Sequence, residues 1–229
     1  MMGGSSYIST HRICRFPNVI LHETIYVASS NAGKLRDFAA AAAVFDVNIA
    51  VLPGVKEIPA PAEDGETFEA NAQLKAEAYS RVRPGLLVLA DDSGLEVDAL
   101  GGAPGVHSAR YAGPDATDAA NNALLLENIR EHGDRTARFV CVIALVKDGK
   151  LVRIFRGAVE GRILDSPRGS GGFGYDPLFY YEPFGCTFGE APIAEKMRVS
   201  HRAQALEAMF TFLRGNAASA ETRSSSSHR

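Results

Sequence analysis

The chain has 229 residues, a formal net charge of −3, and 46% hydrophobic against 22% charged residues. That balance fits one large or two small globular domains with a buried core, and it excludes a disordered polymer. With no basic excess and no run of about 18 apolar residues, neither a nucleic-acid backbone nor a membrane is an expected partner. Cys14, Cys141 and Cys186 are too far apart for a CxxC or zinc spacing, which fits a reducing, cytoplasmic setting.

Residues 1–23 read as a flexible extension before the fold. Their serines, Arg12 and Arg15 faintly resemble an organelle transit peptide, whereas Met1-Met2 fits an extended or misassigned start. Ile25 to Ala28 reads as the first strand and Ser29 to Lys34 as a turn. A helix follows to about Phe45, with Leu35, Phe38, Ala42 and Phe45 at the spacing of a buried stripe. A P-loop is excluded, because Ala28 stands where that motif needs glycine and Leu35 where it needs Ser or Thr. Lys34 and the free N–H groups of the helix start can still seat a phosphate, although an ordinary helix N-terminus presents the same residues.

A Pro-rich strand and loop span Ala50 to Pro61, followed by Ala62 to Phe68 and a helix to about Ser80. Thr67, Asn71 and Lys75 recur every four residues and share one helix face, with Glu63 just ahead of it. Such a stripe is ordinarily solvated; it matters for chemistry only if it looks toward Asp92. Leu86 to Ala90 reads as a strand buried on both faces, ending in Asp91 and Asp92, with Ser93-Gly94 as a turn. Successive strand residues point to opposite faces, so one carboxylate is expected in a cleft and the other bracing the loop. Acids just past the carboxyl end of such a strand lie where open α/β sheets bind ligands.

Asp115 or Thr117 can cap a helix reaching about Glu131. Ala137 to Val146 then reads as a strand, turned at Asp148-Gly149 into a second strand from Leu151 to Phe155, so the sheet is mixed. Gly169, Gly171 and Gly174 spell GxGxxG, but Pro177 and the apolar run behind it read as strand, which excludes a dinucleotide fingerprint. A closely approached backbone carrying Phe173 remains, suited either to stacking on a planar ligand or to a tight loop with a buried ring. Ser200 caps a last helix to Arg214, ended by Gly215, and residues 216–229 read as a disordered tail. His201 and Arg202 fall in its first turn, where cations oppose the helix dipole, a misfit that hints at function. Asp92-Ser93-Gly94 lacks the second triplet an aspartic protease requires, and Ser93 lacks a nucleophile elbow.

Five segments, ASSNAGK, EDGETFEANAQLKA, LADDSGLEVDALGGAPGVHSARYAG, GGFGYDP and EKMRVSHRAQAL, stand in order between about Ile25 and Arg214. Together they resemble the inosine triphosphate pyrophosphatase family, which hydrolyses non-standard purine nucleoside triphosphates. The resemblance implies an elongated α/β mixed-sheet fold with two lobes around a central substrate cleft, over residues 24–215, and a homodimer. It implies Asp92 as the general base and, with Glu63, as a ligand of Mg²⁺. Ser29, Asn31, Lys34 and Lys75 would hold the triphosphate, and Ser93 would touch substrate. Phe173 would stack on the base, Gly174, Tyr175 and Asp176 would complete that wall, and Lys196, His201 and Arg202 would read the 6-oxo edge. Ser29-Ser30 stands where members often carry Thr and Gly, which keeps the hydroxyl but alters the turn. The expected reaction is Mg²⁺-dependent cleavage of ITP, dITP and XTP to monophosphate and pyrophosphate. A modified pyrimidine substrate, or nucleotide binding without catalysis, are the alternatives.

Overall fold

A computed structural model describes residues 23–45 and 47–224. In chain order it contains β1 (Ile25–Val27), α1 (Ala32–Phe45), β2 (Ile49–Val51), α2 (Phe68–Val82) and β3 (Leu87–Val97). Two 3-10 segments, Asp98–Leu100 and Gly105–Arg110, lead to α3 (Asp118–Ile129), β4 (Thr136–Lys147) and β5 (Lys150–Ile163). The last part holds β6 (Phe179–Tyr181), β7 (Cys186–Thr187), α4 (Ile193–Val199) and α5 (His201–Ser224). The seven strands form one mixed sheet in the order β2-β1-β3-β4-β5-β6-β7, parallel from β2 to β3 and antiparallel beyond.

Alternation along β3 sorts its residues between two cores. Leu87 and Leu89 pack with α1 and α5 through Phe38, Ala41, Leu206 and Phe210. Val88 and Ala90 pack on the other face with Phe68, Ala72, Ala76 and Tyr79 of α2. A third core joins Leu95 and Val97 to Leu125 and Ile129 of α3 and to Phe139, Phe179 and Phe188. Two cores therefore flank the first half of β3, and the third gathers around its far half, giving the two lobes of the expected fold.

The strand expected to stop at Ala90 runs on through Asp91-Asp92-Ser93-Gly94, which form no turn. β4 pairs with it without a break from Leu87 and Lys147 to Val97 and Ala137. Gly94 serves packing instead, since a Cβ there would strike the Ser108 hydroxyl and the Gly105 carbonyl of the segment laid across it. β5 likewise outruns the expected end at Phe155. A Cβ at Gly157 would collide with the backbone of α5, so this glycine lets the helix close on the strand. Asp148 and Gly149, with φ of 51° and 69°, form the hairpin turn. Gly215 does not stop the last helix, which continues to Ser224. α4 was not expected.

Thr67 caps α2 by accepting from the Ala70 N–H at 3.1 Å, and Thr117 caps α3 by accepting from Ala120. On α1, Phe38 and Ala42 are buried and Leu35 half-buried, while the side chain of Phe45 lies outside the described residues. So do residues 1–22, with Cys14, and residues 225–229; Cys141 is a buried free thiol. No described helix is long and apolar enough to cross a membrane.

Candidate active site

β1 ends at Val27, and its last tie to β3 is the Ala28 N–H donating to Leu89 O at 2.8 Å. Beyond that point β3 keeps β4 on one edge only, and a cleft of about 490 Å³ opens beside Asp91 and Asp92. The acids thus lie inside a strand, yet just past the carboxyl end of the parallel part of the sheet. That volume lies within the range of about 300–1,000 Å³ that small-molecule sites occupy. Every site residue named from the sequence lines the cleft, from Ser29 on the β1–α1 turn to Arg202 on α5.

Asp92 faces α2. Its carboxylate lies 3.2 Å from Lys75 Nζ and accepts from Asn71 Nδ2 at 3.2 Å. Asn71 is 0% and Lys75 8% exposed, so these two members of the α2 stripe are not solvated, whereas Thr67 at the helix start is exposed. Asn71 also accepts from Gly65 N at 2.8 Å, tying the loop that carries Glu63 to Asp92. Glu63 lies 3.3 Å from the same Lys75 ammonium. Burial pushes the Asp92 carboxyl above the usual aspartate range; Lys75 and Lys34 oppose this only in part. Burial alone would pull Lys75 down, but Asp92, Asp91 and Glu63 outweigh it and keep the ammonium charged.

Asp91 faces the opposite way, which corrects the expectation that it braces a loop. It takes Lys34 at 3.1 Å and Arg202 at 3.3 Å. Burial would raise this carboxyl too, yet Lys34, Arg202 and Lys75 together hold it well below the usual range. Arg202 is 1% exposed and spans Asp37 Oδ2 at 2.7 Å, Asp91 Oδ2 at 3.3 Å and Ser93 Oγ at 3.0 Å. These anions offset the cost of a cation in the first turn of α5. His201, the other supposed cation, is held neutral, because burial and then Arg202 and Lys196 push its pKa well down. Its ring stacks on Phe139 at 5.0 Å. Among the described residues, His201 Nδ1 and Arg202 Nε have no hydrogen-bond partner.

The turn before α1 is shaped by its own side chains. Asn31 Oδ1 accepts from Lys34 N at 3.0 Å, and Ser29 Oγ accepts from Asn31 N at 3.2 Å. Beside the start of α1, Phe173 comes within 5.3 Å of Lys196 Nζ and 6.0 Å of Arg202 Cζ, measured to the ring centre. Lys196 pairs with Asp176 at 2.5 Å, and Asp176 also accepts from the Phe173 N–H at 2.9 Å. Tyr175 donates its hydroxyl to Ser108 O at 2.8 Å, so it braces this wall from behind.

Sequence patterns alone did not single out Asp37, Arg110, Asp118 or Asn122. Asp37 lies three residues after Lys34 on one helix face, a spacing that offered a signal. Arg110 donates to Glu63 O at 3.0 Å, a contact across 47 residues that no local pattern announces.

Chemically, the cleft offers a buried carboxylate beside an ammonium and a second carboxylate on one side. On the other side stand an aromatic ring, two cations and unpaired polar nitrogens. A family model described as the Ham1 family matches residues 25–212. The dITP/XTP pyrophosphatase of Acidobacterium capsulatum is 52% identical over 200 residues, covering 84% of this chain and 98% of that protein. That of Geobacter sulfurreducens is 49% identical, covering 80% of this chain and 92% of its own. Among solved structures, the Ham1 protein of Staphylococcus aureus is 40% identical with a TM-score of 0.75, covering 84% of this chain and 99% of the other. A HAM1 protein from Coxiella burnetii is 42% identical with a TM-score of 0.76 over the same shares.

Proposed function

This chain belongs to the Ham1 family, and on that premise we propose that it hydrolyses ITP, dITP and XTP to the monophosphate and pyrophosphate, clearing deaminated purines from the nucleotide pool. The observation that carries the proposal is Asp92. It is a buried carboxylate with a raised pKa, held between Lys75 and Asn71 in a cleft that Phe173 also lines.

Water attacks the α-phosphorus, its proton passes to Asp92, and the bond to the departing pyrophosphate breaks. Lys34 and Lys75 neutralise the phosphates, aided by Ser29, Asn31 and the N–H groups at the start of α1, where a helix favours anions. Ser93 touches the substrate near Arg202. Among the described residues, no three His, Cys, Asp or Glu side chains gather as a metal site on their own. Glu63 and Asp92, both drawn toward Lys75, fit Mg²⁺ as the one or two carboxylates that this ion takes alongside substrate oxygens. When bound, Mg²⁺ supplies charge neutralisation at the phosphates and leaving group.

Phe173 stacks on the purine, with Gly174, Tyr175 and Asp176 as its wall. Arg202 Nε is a buried donor without a partner, suited to a 6-oxo oxygen and unsuited to the amino group of adenine. Lys196 and neutral His201 complete that edge. The catalytic unit is assigned to residues 24–215, and a homodimeric, cytoplasmic enzyme is the accompanying expectation.

The test is pyrophosphate release from ITP, XTP, dITP, GTP and ATP with Mg²⁺, run beside Asp92→Asn. Release from the first three, with a loss of at least about a hundredfold in the variant, supports the proposal. Equal turnover of all five defeats the base reading, and tight ITP binding without turnover leaves a binding protein.

A further inference from the structure

The position of the Phe173 ring depends on the backbone beside it. Gly174 has φ +61°, and both of its polar main-chain groups are held by one face of α3. Asp118 Oδ2 accepts from Gly174 N at 2.7 Å, and Asn122 Nδ2 donates to Gly174 O at 3.1 Å. Asp118 and Asn122 are one helical turn apart, so a single rigid edge grips the residue from both sides. α3 is well anchored for this: Leu125 and Ile129 are fully buried in the third core, and Thr117 caps its start. On the opposite side the ring meets α1, where a Cβ on Gly33 would lie 3.0 Å from Phe173 Cδ1.

Main-chain bonds order part of the loop, Gly171 N donating to Gly189 O at 2.8 Å and Asp176 N to Phe173 O at 3.3 Å, but side chains hold Gly174. Gly169, Gly171, Gly172 and Gly174 leave the loop with high backbone freedom, which must be lost before the ring can face a base. The Asp176 contact to Phe173 N holds one end of that peptide, and the α3 contacts hold the next.

Resting on the function proposed above, we propose that Asp118 and Asn122 are positioning residues for base binding, which pre-order Phe173 by clamping the Gly174 backbone. Asp118 lines the cleft and Asn122 does not, and both bond to Gly174 rather than to Asp92 or the two lysines beside the acids, so their effect is expected on affinity for the base. None of the sequence motifs marked them, because their partner lies more than fifty residues downstream.

The experiment compares the full-length wild type with Asp118→Ala, Asp118→Asn and Asn122→Ala. Amide exchange over residues 171–176 is read by mass spectrometry without nucleotide. KM and kcat for ITP, the inhibition constant of inorganic pyrophosphate, and Tm are measured on the same samples. In Asp118→Ala the exchange of this segment quickens, and KM for ITP rises about tenfold with kcat within about twofold, since only pre-ordering is lost. Inhibition by pyrophosphate, which engages the phosphate side only, stays unchanged. Asp118→Asn restores exchange and KM, because its amide oxygen accepts the same N–H, and Asn122→Ala shows a smaller change in the same direction. Quickened exchange with unaltered KM overturns the proposal. So does a joint fall in kcat, pyrophosphate affinity and Tm, which marks a merely structural role. A wild type that releases no pyrophosphate from ITP defeats the proposed function instead. The clamp is then judged by calorimetric ITP affinity, and equal affinity in wild type and Asp118→Ala overturns it.

Discussion

Asp91 and Asp92 are covalent neighbours whose carboxylates stand on opposite faces of the sheet, one 3.1 Å from Lys34 on α1 and the other 3.2 Å from Lys75 on α2. The difference in surroundings separates their chemistry. Asp91 meets Lys34 and Arg202, which together with Lys75 outweigh its burial, whereas burial wins at Asp92. A structural anion and a candidate base thus follow from one alternation.

If Asp92 works as a carboxylate, activity is present above its raised pKa and disappears as the pH falls through it. The acid limb of kcat/KM for ITP is therefore expected above the ordinary aspartate value of about 3.9. Lys75→Met removes a cation that lowers this pKa, so the limb should shift to higher pH, beyond any general loss of rate. A pH profile of both proteins checks it, and a shift toward acid would contradict the assignment.

Asp91→Asn should cost stability as well as activity. Arg202, 1% exposed, would keep Asp37 but lose its second carboxylate, and Lys34 would lose its partner. Breaking a buried pair in this way costs about 3–5 kcal/mol. Because the folded pKa of Asp91 is depressed, its contribution is fully present above the unfolded value of about 3.9 and is lost as pH falls toward the folded one. Urea unfolding should show a gap between wild type and variant at pH 7 that narrows below about pH 4.

Glu63→Gln tests the metal assignment. Glu63 is partly exposed and contacts Lys75 at 3.3 Å, so Tm should scarcely move. The Mg²⁺ concentration for half-maximal pyrophosphate release should rise about tenfold, with rate regained at high Mg²⁺. An unchanged Mg²⁺ titration would remove Glu63 from the metal site.

Gly94→Ala probes the strand that replaced the expected turn. Its Cβ would enter the space of the Ser108 hydroxyl, which donates to Gly105 O at 2.6 Å and accepts from Leu95 N at 2.9 Å. Overpacking of this kind costs about 1–3 kcal/mol. Chemical denaturation should register it, with a loss of turnover as the neighbouring Asp92-Ser93 backbone shifts.

What could be read from the chain was local. The four-residue recurrence of Thr67, Asn71 and Lys75 put these residues on one helix face, and alternation placed Asp91 and Asp92 on opposite ones, because helix and strand periods are properties of the backbone itself. Ser200 as a cap and Asp148-Gly149 as a hairpin turn were legible for the same reason. The order of five motifs carried the family resemblance, and with it the residues that line the cleft.

Long-range pairing decided the rest. Ser93-Gly94 has the composition of a turn, and it remains strand because β4 supplies partners along the whole of β3. Gly215 has the look of a helix stop, yet α5 continues past it. Whether the α2 stripe faced water or Asp92 depended on which sheet face the helix covered, a choice made by Phe68, Ala72 and Ala76 packing on Val88 and Ala90. Asp37 meets Arg202 across 165 residues, and Asp118 meets Gly174 across 56. Periodicity fixes which side chains share a face, but only packing fixes what each face meets; the neighbours of a buried charge, and hence its pKa, are therefore a property of the tertiary structure.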